Sequence, residues 1–371
     1  MNFDLTEEQQ LLADTTRDVL LRGYGTVEER NRVVDAPLDA GPGWNPDVWK
    51  QLAEIGILGL GFDEDSGPIE VLVVMTEAGR RLAPEPIAAA ALIPGAVIAA
   101  HGSAEQRSLL DEVAAGERLL AFAHTEPGRR GNAELATRAT EQGGGWTLTG
   151  RKNPVIAGDS AGTLLVTAAL PGGGSGLFVV DGAAVQREGY RTFDGQRGAD
   201  VVLENTPAQP LGSGGDATQA IDAAVLSFQS ALCAEAVGAM DESLRLTTDY
   251  LKTRKQFGVP LKTFQTLTQR AADMYVSLEL ARSMSYYLAM SVADGRIDPM
   301  VGARAKLQIG RSGRHVAQES IQLHGGIGVT AEYPIAHYAA RLTAIDQTFG
   351  SSTDQLRYLV SQVGTYGTAE L

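Results

Sequence analysis

The first third of the chain has the spacing of apolar positions that is typical of amphipathic helices. Thr6-Glu7-Glu8-Gln9 has the form of a capping box, in which the Thr6 hydroxyl accepts from the Gln9 backbone and the Gln9 side chain reaches back. Apolar positions then recur at helical spacing as far as Gly23, a suitable helix end. The same periodicity predicts further helices over residues 47–57, 69–82 and 104–116.

The pattern changes near Leu119, where short β-rich runs replace the helical spacing. Segments rich in Gly and Pro, such as 143–145 and 171–174, separate these runs, and 207–215 is predicted to be a closing linker. Short strands with Gly-rich turns predict a small sandwich or barrel. The predicted strands are 119–124, 146–148, 163–168, 177–180 and 201–203.

Long amphipathic helices return after Asp216, with short connections between them. Asp298-Pro299 is a good helix start, and Gly325 is a good end for the same helix. Long helices in series predict an antiparallel four-helix bundle. The predicted helices are 218–253, 264–294 and 299–323, with two shorter ones near the end.

The sequence therefore predicts an α+β chain of three domains. These are an N-terminal helical domain (1–118), a middle β domain (119–215) and a C-terminal helical bundle (216–371).

Composition excludes several classes of function. The chain has 371 residues, of which 44% are apolar and 20% charged, as expected of a globular protein. A net charge of −14 argues against nucleic acid as the main partner, but a few local cations could still hold an anion such as coenzyme A. The single Cys233 excludes an internal disulfide framework and fits a reducing cytoplasm.

No targeting or membrane segment is expected. The N-terminus, Met1-Asn2-Phe3-Asp4, has no basic region or long apolar stretch, and the apolar run 87–100 is too short to span a bilayer. We therefore expect a cytoplasmic chain without membrane insertion. The sequence also shows no His, Cys and carboxylate spacing typical of a metal site, no nucleophile elbow and no P-loop.

Two blocks in the last third resemble the acyl-CoA dehydrogenase family of flavoproteins. The first is Arg254-Lys255-Gln256-Phe257-Gly258, followed by Phe264-Gln265. The second runs from Gln322-Leu323-His324-Gly325-Gly326 through Glu332-Tyr333-Pro334 to Gly350. The predicted order of helices, strands and bundle is also that of the acyl-CoA dehydrogenase fold, so the resemblance spans nearly the whole chain.

The resemblance implies FAD as cofactor and oxidation of an acyl-CoA to the trans-2-enoyl-CoA, with an electron-transfer flavoprotein or similar acceptor. In this family the first block packs against the FAD of a neighbouring subunit. Arg254 would offer forked donors to a phosphate, and the glycine pair would let backbone approach the dinucleotide. The implied cofactor-binding residues are Arg254, Gln256, Phe257, Phe264, Gln265, Gln322, His324, Gly325 and Gly326.

The family's catalytic base is missing from both of its known positions. In many members the residue before the final glycine is the glutamate that removes the substrate's α-proton, and here it is Phe349. The second location, on the first long bundle helix, is Phe228. Because a phenyl ring cannot take a proton, the resemblance predicts no catalytic residue in this chain.

Positions that the family places near the flavin ring are changed as well. Thr125-Glu126-Pro127-Gly128 matches the family, but Arg129-Arg130-Gly131-Asn132 replaces the turn that follows. Pro154 and Ile156 stand where the family has an aromatic residue and a Thr or Ser. Neither can stack on the ring or donate a side-chain hydrogen bond to it.

This asymmetry resembles the heteromeric α2β2 branch of the family, in which one chain brings the base and the other completes the cofactor site. The prediction is a non-catalytic subunit with a homologous, glutamate-bearing partner. By analogy with sterol-degrading members, the substrate is predicted to be a bulky polycyclic acyl-CoA.

Two alternatives stay open at this stage. The chain could form an active homotetramer that uses an unusual base such as Glu235, or a flavin-free scaffold that binds acyl-CoA or a protein. The expectation for Glu235, Asp241 and Glu242 is a solvated face or a subunit contact, and His124 is expected to be structural.

Overall fold

A computed structural model of the chain describes residues 5–63, 66–128 and 134–365. Helices come first, then a barrel of strands, then helices again, which confirms the predicted α+β fold class. Two segments used in the sequence analysis, residues 1–4 and the turn at 129–132, lie outside the described residues.

The helices of the first part were mostly predicted. The capping box is present, with the Gln9 N–H donating to Thr6 Oγ1 over 3.2 Å. The prediction missed the second helix. It also did not recognise the run after Pro86 as helical, because that run is apolar on all sides and carries no helical period. The helices are α1 (Glu7–Gly23), α2 (Val27–Val34), α3 (Pro46–Glu54), α4 (Pro68–Arg81), α5 (Ile93–His101), α6 (Ala104–Arg107) and α7 (Leu109–Ala114), with a π-helical turn (Ala88–Leu92) before α5.

The middle part is a closed barrel, as the strand pattern predicted. Its strands are β1 (Leu120–Ala123), β2 (Arg138–Gln142), β3 (Gly145–Ile156), β4 (Thr163–Ala169), β5 (Ser175–Asp181), β6 (Gln186–Arg191) and β7 (Arg197–Pro210). The hydrogen-bonded order β4-β2-β3-β7-β5 returns to β4, so the ring has no open edge. β1 adds parallel to β4, and β6 adds antiparallel to β7.

The sequence did not predict β2 and β6 because they expose most of their polar side chains to solvent. The predicted linker at 207–215 was wrong in its first residues, since β7 continues through Pro210. Pairing with the neighbouring strands β3 and β5 keeps this polar end of β7 extended.

The last part is a bundle built around one long helix, α8 (Thr218–Thr253), which packs on α4 and on the other bundle helices. The Asp298 carboxylate caps the third bundle helix by accepting from the Met300 N–H over 2.9 Å, and Gly325 ends it, as predicted. The remaining elements are a short hairpin, β8 (Lys255–Gln256) and β9 (Val259–Pro260), and the helices α9 (Gln265–Ala293), α10 (Pro299–His324), α11 (Pro334–Gln347) and α12 (Ser352–Ser361).

α8 is long and apolar enough to cross a membrane by length and composition. However, 83% of its most apolar window is buried inside the protein, which is the environment of a core helix.

α4 and α8 cross at two glycines, where their backbones touch. A Cβ atom added at Gly79 would lie 1.9 Å from the Glu235 carbonyl oxygen, and one at Gly238 would lie 1.9 Å from the Thr76 carbonyl oxygen. No side chain fits at these distances, so the two helices hold one fixed crossing between the N-terminal helices and the bundle.

We expect Gly238→Ala to lower the free energy of unfolding by about 2–3 kcal/mol, because the added methyl group forces the crossing apart. Chemical denaturation of the purified protein measures this. Gly313→Ala on α10 is the matched control, since its Cβ would meet Leu342 at an ordinary 3.5 Å. Wild-type stability for Gly238→Ala would contradict the direct backbone contact.

Candidate functional site

A cavity of about 320 Å³ lies where the three parts of the molecule meet. Its walls come from residues 83–89 after α4, from β1 and β3, from the 192–196 loop between β6 and β7, from α8, and from the end of α11. Most of the side chains that line it are apolar, so it is suited to an apolar ligand.

Three phenylalanines pack together in the wall of this cavity. The Phe228 and Phe349 rings are stacked, with centroids 4.7 Å apart, and the Phe122 ring lies 5.4 Å from Phe228. Side-chain amides of Gln229 and Gln355 donate to the Phe349 carbonyl oxygen over 3.0 and 3.2 Å, which fixes the backbone there. The fold thus joins the two sequence positions at which the family carries its base, and both hold phenyl rings.

Two carboxylates of the cavity wall are held by one buried arginine. Arg341 on α11 donates to both oxygens of Glu235 over 2.6 and 2.7 Å, and to Asp194 over 2.8 Å. The Arg341 guanidinium lowers the pKa of Asp194 even though burial alone would raise it. Asp194 is therefore poorly disposed to take a proton from a ligand, and both oxygens of Glu235 are occupied by Arg341.

The expected solvated position of Glu235 was wrong, because this side chain is only 3% exposed. Asp241 and Glu242 do lie nearer the surface of α8, where Asp241 pairs with Arg80 and Arg282 and Glu242 pairs with Arg245. Nothing in the sequence indicated the pairing of Glu235 with Arg341, since the two residues are 106 positions apart.

Glu85 is a third carboxyl of the cavity wall, and sequence reasoning missed it. Its Oε1 accepts from the Tyr24 hydroxyl and from the Asn45 N–H over 3.2 Å, whereas Oε2 is buried without a hydrogen-bond partner in the described residues. Burial raises the pKa of Glu85 to about 7, against the opposing effects of Tyr24, Asn45 and Arg30.

The residues near the predicted flavin-ring positions form two groups. Thr125, Pro154 and Ile156 line the cavity, which is where the resemblance would place them. Glu126 instead pairs with the buried Lys152 over 2.8 Å and accepts from two backbone N–H groups of the β2 approach. Glu126 and Lys152 therefore stabilise the core of the barrel.

His124 is structural, as expected. Its Nδ1 lies 3.2 Å from Thr167 Oγ1, and its ring stacks on Phe122. Burial, reinforced by the charge of Lys152, lowers the pKa of His124 to about 4, so the ring is neutral at pH 7.

None of the nine predicted cofactor-binding residues lines this cavity. They gather at one end of the bundle, where α8 ends next to the end of α10. The Tyr250 ring lies 4.5 Å from the His324 ring and so joins the two sequence blocks. His324 itself is buried against Tyr250 and Tyr333, so it supports this surface from below.

We call this end of the bundle, residues 254–265 with 322–326, the cofactor-contact surface, after the predicted role of these residues. Phe257 is 92% exposed, an uncommon state for a large apolar side chain. Arg254 is exposed and makes no side-chain hydrogen bond or ion pair within the part of the chain that the structure describes. A Cβ at Gly326 would meet nothing within 4 Å, so this chain's own packing does not explain the glycine.

These residues fit the phosphate and adenosine end of FAD. A free guanidinium can grip a pyrophosphate oxygen, and an exposed phenyl face can cover an apolar edge. The cavity fits the ring end poorly, because Pro154 and Ile156 offer no side-chain donor there.

Comparisons with known proteins give matches over most of the chain. The chain matches the models of the acyl-CoA dehydrogenase N-terminal domain over residues 6–117 and of the acyl-CoA dehydrogenase C-terminal domain over residues 226–363. It is 29% identical to the acyl-CoA dehydrogenase IpdE2 of Mycobacterium tuberculosis over 365 residues, which covers 96% of this chain and 98% of that relative.

Many solved structures share its fold. The Tcur3481-Tcur3483 steroid ACAD is 31% identical, with a TM-score of 0.89 over 97% of this chain and 98% of that chain. The ChsE4-ChsE5 complex from Mycobacterium tuberculosis is 24% identical, with a TM-score of 0.88 over 99% of this chain and 100% of that chain.

We expect Glu85→Gln to change how stability depends on pH. The pKa of the Glu85 carboxyl is near 4.5 in the unfolded chain and near 7 in the folded protein. Its contribution to the free energy of unfolding is therefore complete below pH 4.5 and is lost as the pH rises to about 7. The loss amounts to about 3 kcal/mol, at roughly 1.36 kcal/mol per pKa unit. Since glutamine does not titrate, the variant should gain about 2–3 kcal/mol relative to wild type between about pH 5 and pH 8.

Urea unfolding at several pH values measures this difference. The exposed Glu105→Gln on α6 is the control for removing one carboxylate. A stability difference for Glu85→Gln that stayed constant with pH would show that the carboxyl is not held neutral.

Proposed function

The chain belongs to the acyl-CoA dehydrogenase family, whose cofactor is FAD, and we propose that within this family it is the non-catalytic subunit of a heteromeric enzyme. The observation that carries the proposal is the stacked pair of Phe228 and Phe349, which occupies both positions of the family's base. In the complete enzyme a glutamate of the partner subunit removes the α-proton of the acyl-CoA. Bound FAD supplies the acceptor for the β-hydride, and the product is the trans-2-enoyl-CoA.

The pairing of the cavity carboxylates supports this division of labour. Glu235 was the alternative base considered for an active homotetramer, but both of its oxygens accept hydrogen bonds from Arg341. Releasing it would break two charge-assisted hydrogen bonds and leave the buried Arg341 guanidinium paired with Asp194 alone, which is a costly change. This chain therefore contributes binding and positioning, and the partner contributes the proton transfer.

The cofactor-contact surface supports assembly with another subunit. Arg254 and Phe257 project from the bundle and do not line the chain's own cavity, as expected of residues that serve the FAD of a neighbour. An apolar stripe on α9 offers a surface for subunit contact, because its large side chains are about half exposed. The stripe consists of Tyr275, Val276, Leu280 and Tyr287.

The substrate class and the partners follow by analogy. One related structure, 31% identical, is named for two chains and described as a steroid ACAD, which supports a bulky polycyclic acyl-CoA and a homologous partner subunit. We propose an electron-transfer flavoprotein or similar protein as the electron acceptor. The lone buried Cys233 is compatible with the cytoplasm as the site of action.

A second candidate function is dehydrogenation by this chain alone, with Glu85 as base. The observation that favours it is a cavity-lining carboxyl with an oxygen free of hydrogen bonds among the described residues and a pKa of about 7, a range suited to a general base. Turnover by the isolated chain that disappears in Glu85→Gln would establish this function.

We expect the chain purified alone to bind little FAD and to show no acyl-CoA dehydrogenation, because its ring-side residues and base are missing. Co-expression with a homologous glutamate-bearing chain should give a yellow heterotetramer. Size-exclusion chromatography with flavin absorbance would show about one FAD per pair of unlike chains, since each site needs both (the flavin carries the redox chemistry). A yellow, active homotetramer with one FAD per chain would overturn the proposal.

We expect Arg254→Gln to weaken FAD binding by the complex on the order of tenfold or more, since a charge-assisted bond to phosphate is lost. Flavin titration of the deflavinated complex measures this. Lys252→Gln is the matched control, because Lys252 is also exposed and basic but already pairs with Asp249 on the same helix. Equal FAD affinity for the two variants would remove Arg254 from the cofactor site.

A further inference from the structure

A second pocket, of about 310 Å³, lies between α10 and the first half of α12. Polar side chains of α10 line one wall at positions 311, 314, 315 and 318, a spacing that places them on one face of the helix. None of the described residues that line this pocket also lines the cavity or belongs to the cofactor-contact surface. The pocket is therefore a separate feature of the bundle, and we call it the α10–α12 pocket.

Arg311 and Arg314 give the α10–α12 pocket two positive charges. Both side chains are exposed, and Arg311 makes no hydrogen bond or ion pair within the described residues. Arg314 lies 4.0 Å from the carboxylate of Asp346, which is the outer limit of an ion pair. Two like charges three positions apart on a helix repel each other, so an anion held between the two guanidinium groups would relieve that repulsion.

The nearby carboxylates are already engaged. Asp346 is buried and accepts from the Ser352 N–H over 2.9 Å, and Glu319 pairs with Arg270. No acidic residue lines the pocket in the part of the chain that the structure describes. The protein as a whole has a net charge of −14, so this local excess of positive charge is opposite in sign to the chain that carries it. Such an arrangement attracts and binds an oxyanion.

The remaining walls select among anions. Leu307 and Leu356 give the pocket an apolar part, and the exposed Thr353 hydroxyl adds a neutral donor. A phosphate group carries two charges and enough oxygens to accept from both guanidinium groups, which suits it better than a single carboxylate. The volume is at the lower end of small-molecule pockets, so a compact organic group fits beside the phosphate and covers the two leucines.

We propose that the α10–α12 pocket binds a small phosphate monoester. The phosphate lies between Arg311 and Arg314, and the organic group rests on Leu307 and Leu356. Binding here is independent of the proposed subunit role, because residues of this chain alone form the pocket.

The test compares phenyl phosphate with inorganic phosphate, two probes that share the phosphate group and differ in the ring. Each is titrated by calorimetry at constant ionic strength into the full chain, in its complex if the chain is purified that way. We expect one saturable site per chain and tighter binding of phenyl phosphate, because its ring covers the leucines. Arg311→Gln and Arg314→Gln should each weaken binding roughly tenfold, since each removes a charge-assisted hydrogen bond.

Arg296→Gln is the matched control, because Arg296 is also exposed but lies outside the pocket, where it pairs with Asp294. This variant should bind the probes as the wild type does. The proposal would be overturned by the absence of saturable binding or by equal affinities of the wild type for the two probes. It would also be overturned if neither pocket variant bound more weakly than Arg296→Gln.

A last titration separates this pocket from the cofactor site. Phenyl phosphate is added to the complex after that complex has been loaded with FAD, and we expect its affinity to be unchanged. Loss of binding in the loaded complex would place the phosphate in the cofactor site and would contradict a separate pocket.

Discussion

The ion pairs of Arg341 hold together the parts of the molecule that surround the cavity. This one guanidinium joins α11 to α8 through Glu235 and to the barrel through Asp194. Arg30 on α2 adds a link from the first helices to the same loop of the barrel. Breaking a buried pair of this kind typically costs about 3–5 kcal/mol, because one charge is left without compensation. Because Arg341, Glu235 and Asp194 all line the cavity, the shape of the cavity depends on this cluster.

The two candidate sites of this chain differ in polarity, since the cavity is mostly apolar and the cofactor-contact surface carries an exposed charge. In the cavity, the stacked rings of Phe228 and Phe349 occupy the positions at which the family carries its base. The stacking stabilises the wall without the cost of burying a charge. At the cofactor-contact surface, Arg254 stays charged and exposed. This distribution of charge supports the proposed role, in which the chain holds part of a cofactor for another subunit and does not react with a substrate of its own.

The sequence predicted the elements whose local signals are strong. The capping box of α1, the Asp298 start of α10 and the three long bundle helices followed from periodicity and cap chemistry. The polar strands β2 and β6 gave no hydrophobic alternation, so they were missed.

The candidate site was predictable only where a motif marked it. Phe228 and Phe349 were found through the family pattern and lie together in the structure. Glu85 and Arg341 were not found, because what distinguishes them is the set of partners that the fold brings from distant parts of the chain. The Arg341 contact with Asp194 spans 147 residues, and the Tyr24 contact with Glu85 spans 61.

The almost fully exposed Phe257 ring has a consequence for how the cell must produce this protein. A lone chain presents this ring, together with Val329 at 66% exposure, to every other protein in solution. Apolar surface of that kind invites chaperone capture, self-association and proteolysis until something covers it. The amount of this protein that escapes degradation would therefore depend on whether it is synthesised together with the molecule that covers the ring.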